Sequence, residues 1–408
     1  MMKEQPYHQL IIYVAVYFFF NSFLLPEGLL YTTLLTPVMV YFLFKEREIK
    51  KIYVWSLALL IPIPFHVLQG VVVNSYLISS VMVFTALIFL ICVYYAVKKY
   101  VDILDSLFRK VLLINALFVF IALIVLPIPG IRDLFWYDVP FSKGLDVILR
   151  LKLFTYEASY YSLIMMPVFL YFMMRVFYDK EKHSLLIFLA SVIPLLLSLS
   201  FGVIGAFLLA FLISVLVFWA KIPRTLKRFS ILSTLFMLVV LGLVFILWPQ
   251  NPIYFRIENI FHGQDTSAMG RLVYSFMFAR DIIVQHNIFF GIGPGQIKII
   301  AHDMIINYYK YHGTLDNVVR IPNAMAEILS IYGIYGFVFK LFLEVFFFVK
   351  KRIYNNHYAL ILFLLIFIYQ FTGSFITNVA ELGIWAVVFG TRFIEFDFPK
   401  SQTAEYNR

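Results

Sequence analysis

The chain of 408 residues contains a single cysteine, Cys92. No disulfide framework can be built from it. Charge is scarce as well. Asp, Glu, Lys and Arg make up 14% of the residues against 62% hydrophobic, and mean hydropathy is +0.89. A soluble domain of this size does not have that balance, whereas a polytopic α-helical membrane protein does. Strand-like alternation of apolar and polar positions is missing too. The apolar runs continue for about 20 residues, which excludes a transmembrane β-barrel. There is no low-complexity tract and no internal repeat, so the duplicated halves of a transporter are not indicated. The middles of the apolar spans lack Asp, Glu and Arg, which counts against an ion-coupled carrier. The histidines lack paired carboxylates at ligand spacing, so neither a metal nor any other cofactor is expected. The first apolar run follows Lys3 with no small-residue cleavage site, and it reads as an uncleaved signal anchor.

What the chain does have is apolar spans. About twelve are expected, near 10–25, 29–44, 52–68, 76–97, 111–128, 156–178, 184–199, 201–220, 229–248, 322–349, 358–373 and 377–394, each close to the length that crosses about 30 Å of hydrocarbon. The expected fold class is all-α: one transmembrane domain, 1–408, in a bacterial inner membrane. The net charge of +10 does not indicate nucleic acid, because the basic residues fall in short clusters between spans. With both termini in the cytoplasm, every short cytoplasmic connection is basic, as in Lys45, Arg47, Lys50 and Lys51, or Lys221, Arg224, Lys227 and Arg228. The short outer connections, 26–28 and 69–75 among them, carry no Lys or Arg, so the orientation follows the positive-inside bias. All outer basic residues then fall in two long periplasmic loops, 129–155 and 249–321. Loops of this length usually have a task of their own.

The larger loop carries Arg256, Arg271, Arg280 and Arg320. Residues 271–286 fit an amphipathic helix: at 100° per residue, Arg271, Ser275, Asp281, Gln285 and His286 share a face, and Arg280 projects to the opposite side. Two readings stand. The helix lies at the interface with its arginine snorkelling to headgroups, or it covers a cavity with Arg271 pointing in, where the planar guanidinium fork suits a diphosphate. Gly291-Ile292-Gly293-Pro294-Gly295 follows. It lacks the Lys-Ser/Thr ending and the preceding strand of a nucleotide-phosphate loop. Gly291, Gly293 and Gly295 either form a tight structural turn or bring backbone close to a substrate.

In the shorter loop, Arg150 and Lys152 precede Glu157 at the outer mouth of a span. They are interface anchors beside a solvated carboxylate, or a substrate-binding pair beside a base for a hydroxyl nucleophile. Arg320, Pro322, Asn323 and Glu327 enter a later span. Pro322 suits the first helical turn, and Asn323 and Glu327 at i,i+4 share a face. His312 is a solvated loop histidine or a general base. Lys340 and Glu344, also at i,i+4, are expected to pair within a span.

Several of these pieces resemble one family. Tyr156-Glu157-Ala158-Ser159-Tyr160 opens a span after a basic outer loop, and Ser198-Leu199-Ser200-Phe201-Gly202 sits between two spans. Gly270-Arg271-Leu272 is followed about 20 residues on by Phe290-Gly291-Ile292-Gly293-Pro294-Gly295, at a spacing that a helix and a turn can fill. Last come Asn323-Ala324-Met325-Ala326-Glu327 and Tyr332-Gly333-Ile334-Tyr335-Gly336. In order and layout the chain resembles the bacterial O-antigen polymerase/O-antigen ligase superfamily of polysaccharide-assembly membrane proteins. The resemblance implies a metal-independent glycosyltransferase acting on undecaprenyl-diphosphate-linked oligosaccharide at the periplasmic face. The growing glycan would leave its lipid diphosphate for the non-reducing end of the next lipid-linked unit. Outer-loop arginines would hold the diphosphate, with Arg271 at the position important in the family. Membrane lipid and a chain-length regulator protein are implied partners. The chain departs from the pattern at Pro322, where many members, ligases especially, have a histidine. That tilts the reading to polymerase over ligase and leaves the base open between His312 and Glu157. A lipid-linked oligosaccharide flippase, a third reading, would call for cavity-facing charges and short outer loops.

Overall fold

The computed structural model describes Val14, residues 17–19, Leu25 and residues 29–48, 50–138, 149–178, 184–248, 252–309 and 319–398. Most of the first expected span and both termini lie outside the described residues. Among the described residues the regular structure is helical apart from one short ribbon, so the all-α membrane architecture holds. Val73–Lys99, Val101–Ile124, Ala158–Tyr178 and Ala324–Lys350 are long and apolar enough to cross a membrane. Leu185–Ser198, Phe201–Val217, His357–Tyr369 and Val379–Gly390 are shorter apolar helices, each starting within two residues of where an expected span starts.

The helix Ala158–Tyr178 is the hub. Of its most apolar window, 83% is buried inside the protein, against 22% to 44% for the other long helices. Inside it, Pro167 cannot donate an amide hydrogen, and its carbonyl accepts the Tyr358 hydroxyl at 3.1 Å. Tyr161 donates to Asn115 Oδ1 at 2.8 Å, fixing the hub against Leu104–Ile124. That neighbouring helix shows why the bundle suits lipid. Its buried residues include Phe108, Val111, Leu112, Asn115, Val119 and Ala122, while Leu113, Leu117, Phe120 and Ile124 form an exposed apolar stripe. In water such a stripe would be a liability; against acyl chains it is solvated.

The described parts of both long loops are structured. The shorter one forms a helix, Pro129–Phe135, and a two-stranded antiparallel ribbon pairing Trp136 with Leu151 and Tyr137 with Arg150. Trp136 Nε1 donates to the Ala122 carbonyl at 2.9 Å and ties the ribbon to the bundle. The ribbon is an addition to the expected all-helical picture. In the larger loop, Pro252–Phe261 and Thr266–Met269 lead into a π-helical turn, Gly270–Tyr274, and then the helix Ser275–Gln285. This loop has its own apolar core. Phe278, Ala279, Ile282, Ile292, Ile297, Ala301 and Ile305 pack on Val319, Ile321, Ala326, Ile331 and Tyr332. The helix anticipated at 271–286 is therefore present but shorter. The π turn rotates its start relative to a regular helix, so Ser275, expected beside Arg271 on a polar face, is buried with its Oγ donating to the Gly270 carbonyl at 2.6 Å.

The glycine turn joins this cap to the bundle. The helix Ala324–Lys350 breaks at Gly333 (φ 62, ψ −159). A break strands backbone groups on both sides, and these must find partners. The carbonyls of Ser330 and Ile331 accept from the amides of Ile292 and Gly293 at 3.0 and 2.9 Å. The amides of Ile334 and Tyr335 donate to the carbonyls of Ile288 and Phe289, both at 3.0 Å. Approach is so close that a Cβ on Gly291 (φ 69) would lie 2.5 Å from the Ser330 carbonyl oxygen and 2.6 Å from the Gly333 nitrogen. Gly293 packs on His66 and Tyr76, and Gly295 on Ser75.

Candidate active site

One cleft gathers residues from both long loops and from the connection between the last two helices. Tyr156, Glu157, Ser159 and Tyr160 line it where the shorter loop enters the hub helix, and Arg271 lines it from the π turn. Pro322 and Tyr369 contribute from helix ends, and Ser374, Phe375 and Asn378 complete the wall.

Arg271 is held by its backbone. The Asn323 side chain donates to the Arg271 carbonyl at 2.8 Å and to the Phe371 carbonyl at 2.6 Å. Its Oδ1 accepts the Ala326 amide at 2.9 Å, which makes Asn323 the N-cap of Ala324–Lys350. Pro322 consequently stands before the cap, not in the first turn as expected. Because Asn323 is fully buried and commits both amide hydrogens to backbone carbonyls, it positions Arg271 from behind and does not reach the cleft. Glu327 is also buried, and its Oε2 accepts the Ile376 amide at 2.7 Å, pinning the connection that carries Ser374 and Phe375.

Two further arginines border the cleft. Pairing with Tyr137 in the ribbon sets the Arg150 guanidinium 4.8 Å from that ring's centroid, close enough to Glu157 and Arg271 to feel both charges. Burial holds Arg150 below its ordinary pKa, Tyr137 and Glu157 oppose that shift, and Arg271 adds to it. Arg320 lies over the ring of Phe375 at 5.0 Å. Among the described residues, neither Arg271 nor Glu157 makes a salt bridge through its side chain. The arrangement is a cation-rich cleft with one carboxylate, suited to a doubly charged anion and a neutral hydroxyl compound.

Other expected site residues lie elsewhere. Arg280 is exposed and pairs with Asp281 at 2.7 Å, away from the cleft. Lys152 is half-buried near Asp133 and outside the lining; burial lowers its pKa and Asp133 opposes the shift. Gly291 and Gly293 build the joint at Gly333, Gly295 packs on Ser75, and none of the three lines the cleft. His312 lies outside the described residues. Lys340 does approach Glu344, at 3.7 Å, but its shorter ion pair is with Glu381 at 2.8 Å. Sequence reading missed Ser374 and Asn378. The polar run Gln370-Phe371-Thr372-Gly373-Ser374 between two apolar spans was the available signal.

Residues 185–341 match a family model described as O-Antigen ligase. The match bears out the resemblance to the O-antigen polymerase/ligase superfamily and implies a glycosyltransferase-like enzyme of that kind. The matched segment contains Arg271, the glycine turn and Asn323, whereas Arg150 and Glu157 precede it and Ser374 follows it. A search of curated proteins finds no match.

Proposed function

We propose that the protein is an O-antigen-type polysaccharide polymerase of the bacterial inner membrane. It transfers the growing glycan from undecaprenyl diphosphate to the next lipid-linked repeat unit on the periplasmic side. The observation that carries this reading is the meeting of Arg271 and Glu157, from separate loops, in one cleft bordered by Arg150 and Arg320. In the proposed step the bond from the anomeric carbon to the diphosphate oxygen breaks as the acceptor hydroxyl oxygen bonds to that carbon. The hydroxyl proton goes to the Glu157 carboxylate, and undecaprenyl diphosphate leaves. Negative charge grows on the leaving phosphate, so fixed guanidinium groups favour the transition state over the ground state. Glu157 takes the base role because it lines the cleft in which Pro322 occupies the place of the family's histidine.

Ligation of finished glycan to a lipid A core is the second reading, favoured by the description of the matching family model. Surface glycan from cells lacking the gene separates the two. Core lipid capped with a single repeat is expected for a lost polymerase. Long chains retained on the lipid carrier would instead assign the ligase reaction, and wild-type glycan would refute both.

A further inference from the structure

Behind one wall of the cleft lies a buried charged network that the proposed chemistry does not use. Glu381 is 2% exposed, and every donor around its carboxylate is accounted for. Oε1 accepts from Lys340 Nζ at 2.8 Å and from Trp385 Nε1 at 3.3 Å, and Oε2 contacts Ser374 Oγ at 2.6 Å. A carboxylate held by lysine has no hydrogen to give, so the serine must be the donor in that contact. Asn378 settles the rest. Its Oδ1 accepts the amides of Ala380 and Glu381 at 3.0 and 3.3 Å, which directs Nδ2 toward Ser374 Oγ at 2.9 Å. Ser374 thus gives its only hydrogen to Glu381 and receives one from Asn378. One lone pair is left, on a side chain that lines the cleft. The backbone supports the same conclusion. Ser374 sits at φ 70, a left-handed conformation that costs a non-glycine residue and recurs at functional sites.

We propose that Ser374 is a hydrogen-bond acceptor subsite for a sugar hydroxyl of the lipid-linked substrate, with Glu381 and Lys340 as positioning residues that fix its polarity. This rests on the glycosyltransferase reading above and adds to it which group of the substrate the second wall recognises. Neutral carbohydrate offers hydroxyl donors, and a serine locked as acceptor takes a donor while rejecting a second acceptor in the same place. The network binds the glycan end of the substrate and leaves the diphosphate to the arginines.

The test uses the full chain in lipid nanodiscs and two probes: undecaprenyl diphosphate without sugar, and the lipid-linked oligosaccharide extracted from cells lacking the gene. Ser374→Gly removes the hydroxyl while relieving the backbone conformation and leaving the ion pair intact. It is expected to weaken oligosaccharide-lipid binding about tenfold, the scale of one lost hydrogen bond, and to leave undecaprenyl diphosphate binding within about twofold. Glu381→Gln places an amide donor before Ser374 and turns the serine hydrogen toward the cleft, so it should reproduce that pattern. The double variant should be no weaker than either single one, since Glu381 acts only through Ser374. Unchanged oligosaccharide affinity in Ser374→Gly, equal losses for both probes, or additive losses in the double variant would overturn the proposal. Wild-type protein that binds neither lipid would instead remove the glycan reading on which it stands.

Discussion

The two walls of the cleft treat charge in opposite ways. On one, Lys340, Glu381, Ser374 and Asn378 satisfy one another out of water. On the other, Arg271 and Glu157 stand without a salt bridge among the described residues, in a protein where Arg132, Arg280 and Arg392 all have carboxylate partners. Keeping like guanidinium groups near one another costs free energy in the empty protein, and an anion placed between them recovers it. The paired wall therefore shapes the cleft, and the open wall waits for a ligand. Arg271→Ala should test that division most sharply. Polymer formation should fall by about 100-fold or more, the scale of losing one preorganised charge at a developing anion, with membrane-inserted protein unchanged. Surface glycan gels alongside immunoblots of the membrane fraction measure both, and normal long chains would remove Arg271 from the site.

The paired wall predicts the reverse. Lys340→Met leaves the buried Glu381 without its cation and with only the neutral donors Trp385 and Ser374, and the cost should be about 3 kcal/mol of stability. Thermal unfolding in nanodiscs reports it as a lowered midpoint, whereas Arg271→Ala should leave that midpoint in place or raise it. If both substitutions lowered the midpoint alike, the two walls would not differ in the way the geometry implies. The joint at Gly333 belongs with the paired wall. Gly291→Ala puts a Cβ 2.5 Å from the Ser330 carbonyl oxygen on left-handed backbone, so it should destabilise by about 2 kcal/mol even though the glycine touches no part of the cleft.

How much of this was legible in sequence divides along the same line. The spans were legible, because lipid demands continuous apolar runs and composition states them directly. Arg271 stood out because a cation placed against the positive-inside bias is rare, and Glu157 because a carboxylate at the mouth of a span is costly to keep without a task. The joint was not. Phe290–Gly295 and Tyr332–Gly336 read as two separate motifs, yet they are two halves of one contact, joined by backbone hydrogen bonds that no local periodicity encodes. Lys340 does meet Glu344 as helical spacing expects, at 3.7 Å, but its shorter pair with Glu381 lies on another helix and no local spacing encodes it. Of the two readings left open for the glycines, the tight structural turn is the one the contacts show.

Asn323 lies between the walls and tests whether they communicate. Its amide bridges the Arg271 and Phe371 carbonyls, linking the cation-bearing turn to the connection that leads into Ser374. Asn323→Ala removes the cap and both bridges, at a cost of about 1 kcal/mol in helix stability. Activity should fall about tenfold, since misplacing a catalytic cation by about 1 Å is enough for such a loss. Asn323→Ser keeps a neutral cap acceptor and loses the bridges. It should recover stability but not activity, and recovery of both would show that the cap alone matters.

The smallest effect belongs to Arg280, which helical periodicity already places on the face opposite Arg271. Arg280 lies on the helix that follows the π turn, and its side chain is 64% exposed and already bonded to Asp281. An adjacent, solvated pair of this kind contributes less than about 0.5 kcal/mol, and salt screens it further. Arg280→Ala should leave polymer length and yield within about twofold of wild type. If it lost activity as Arg271→Ala does, the substrate would have to contact the far face of that helix. The division between a ligand-facing wall and the remaining surface would then fail at its most exposed point, because an arginine that already has a carboxylate partner would be holding phosphate.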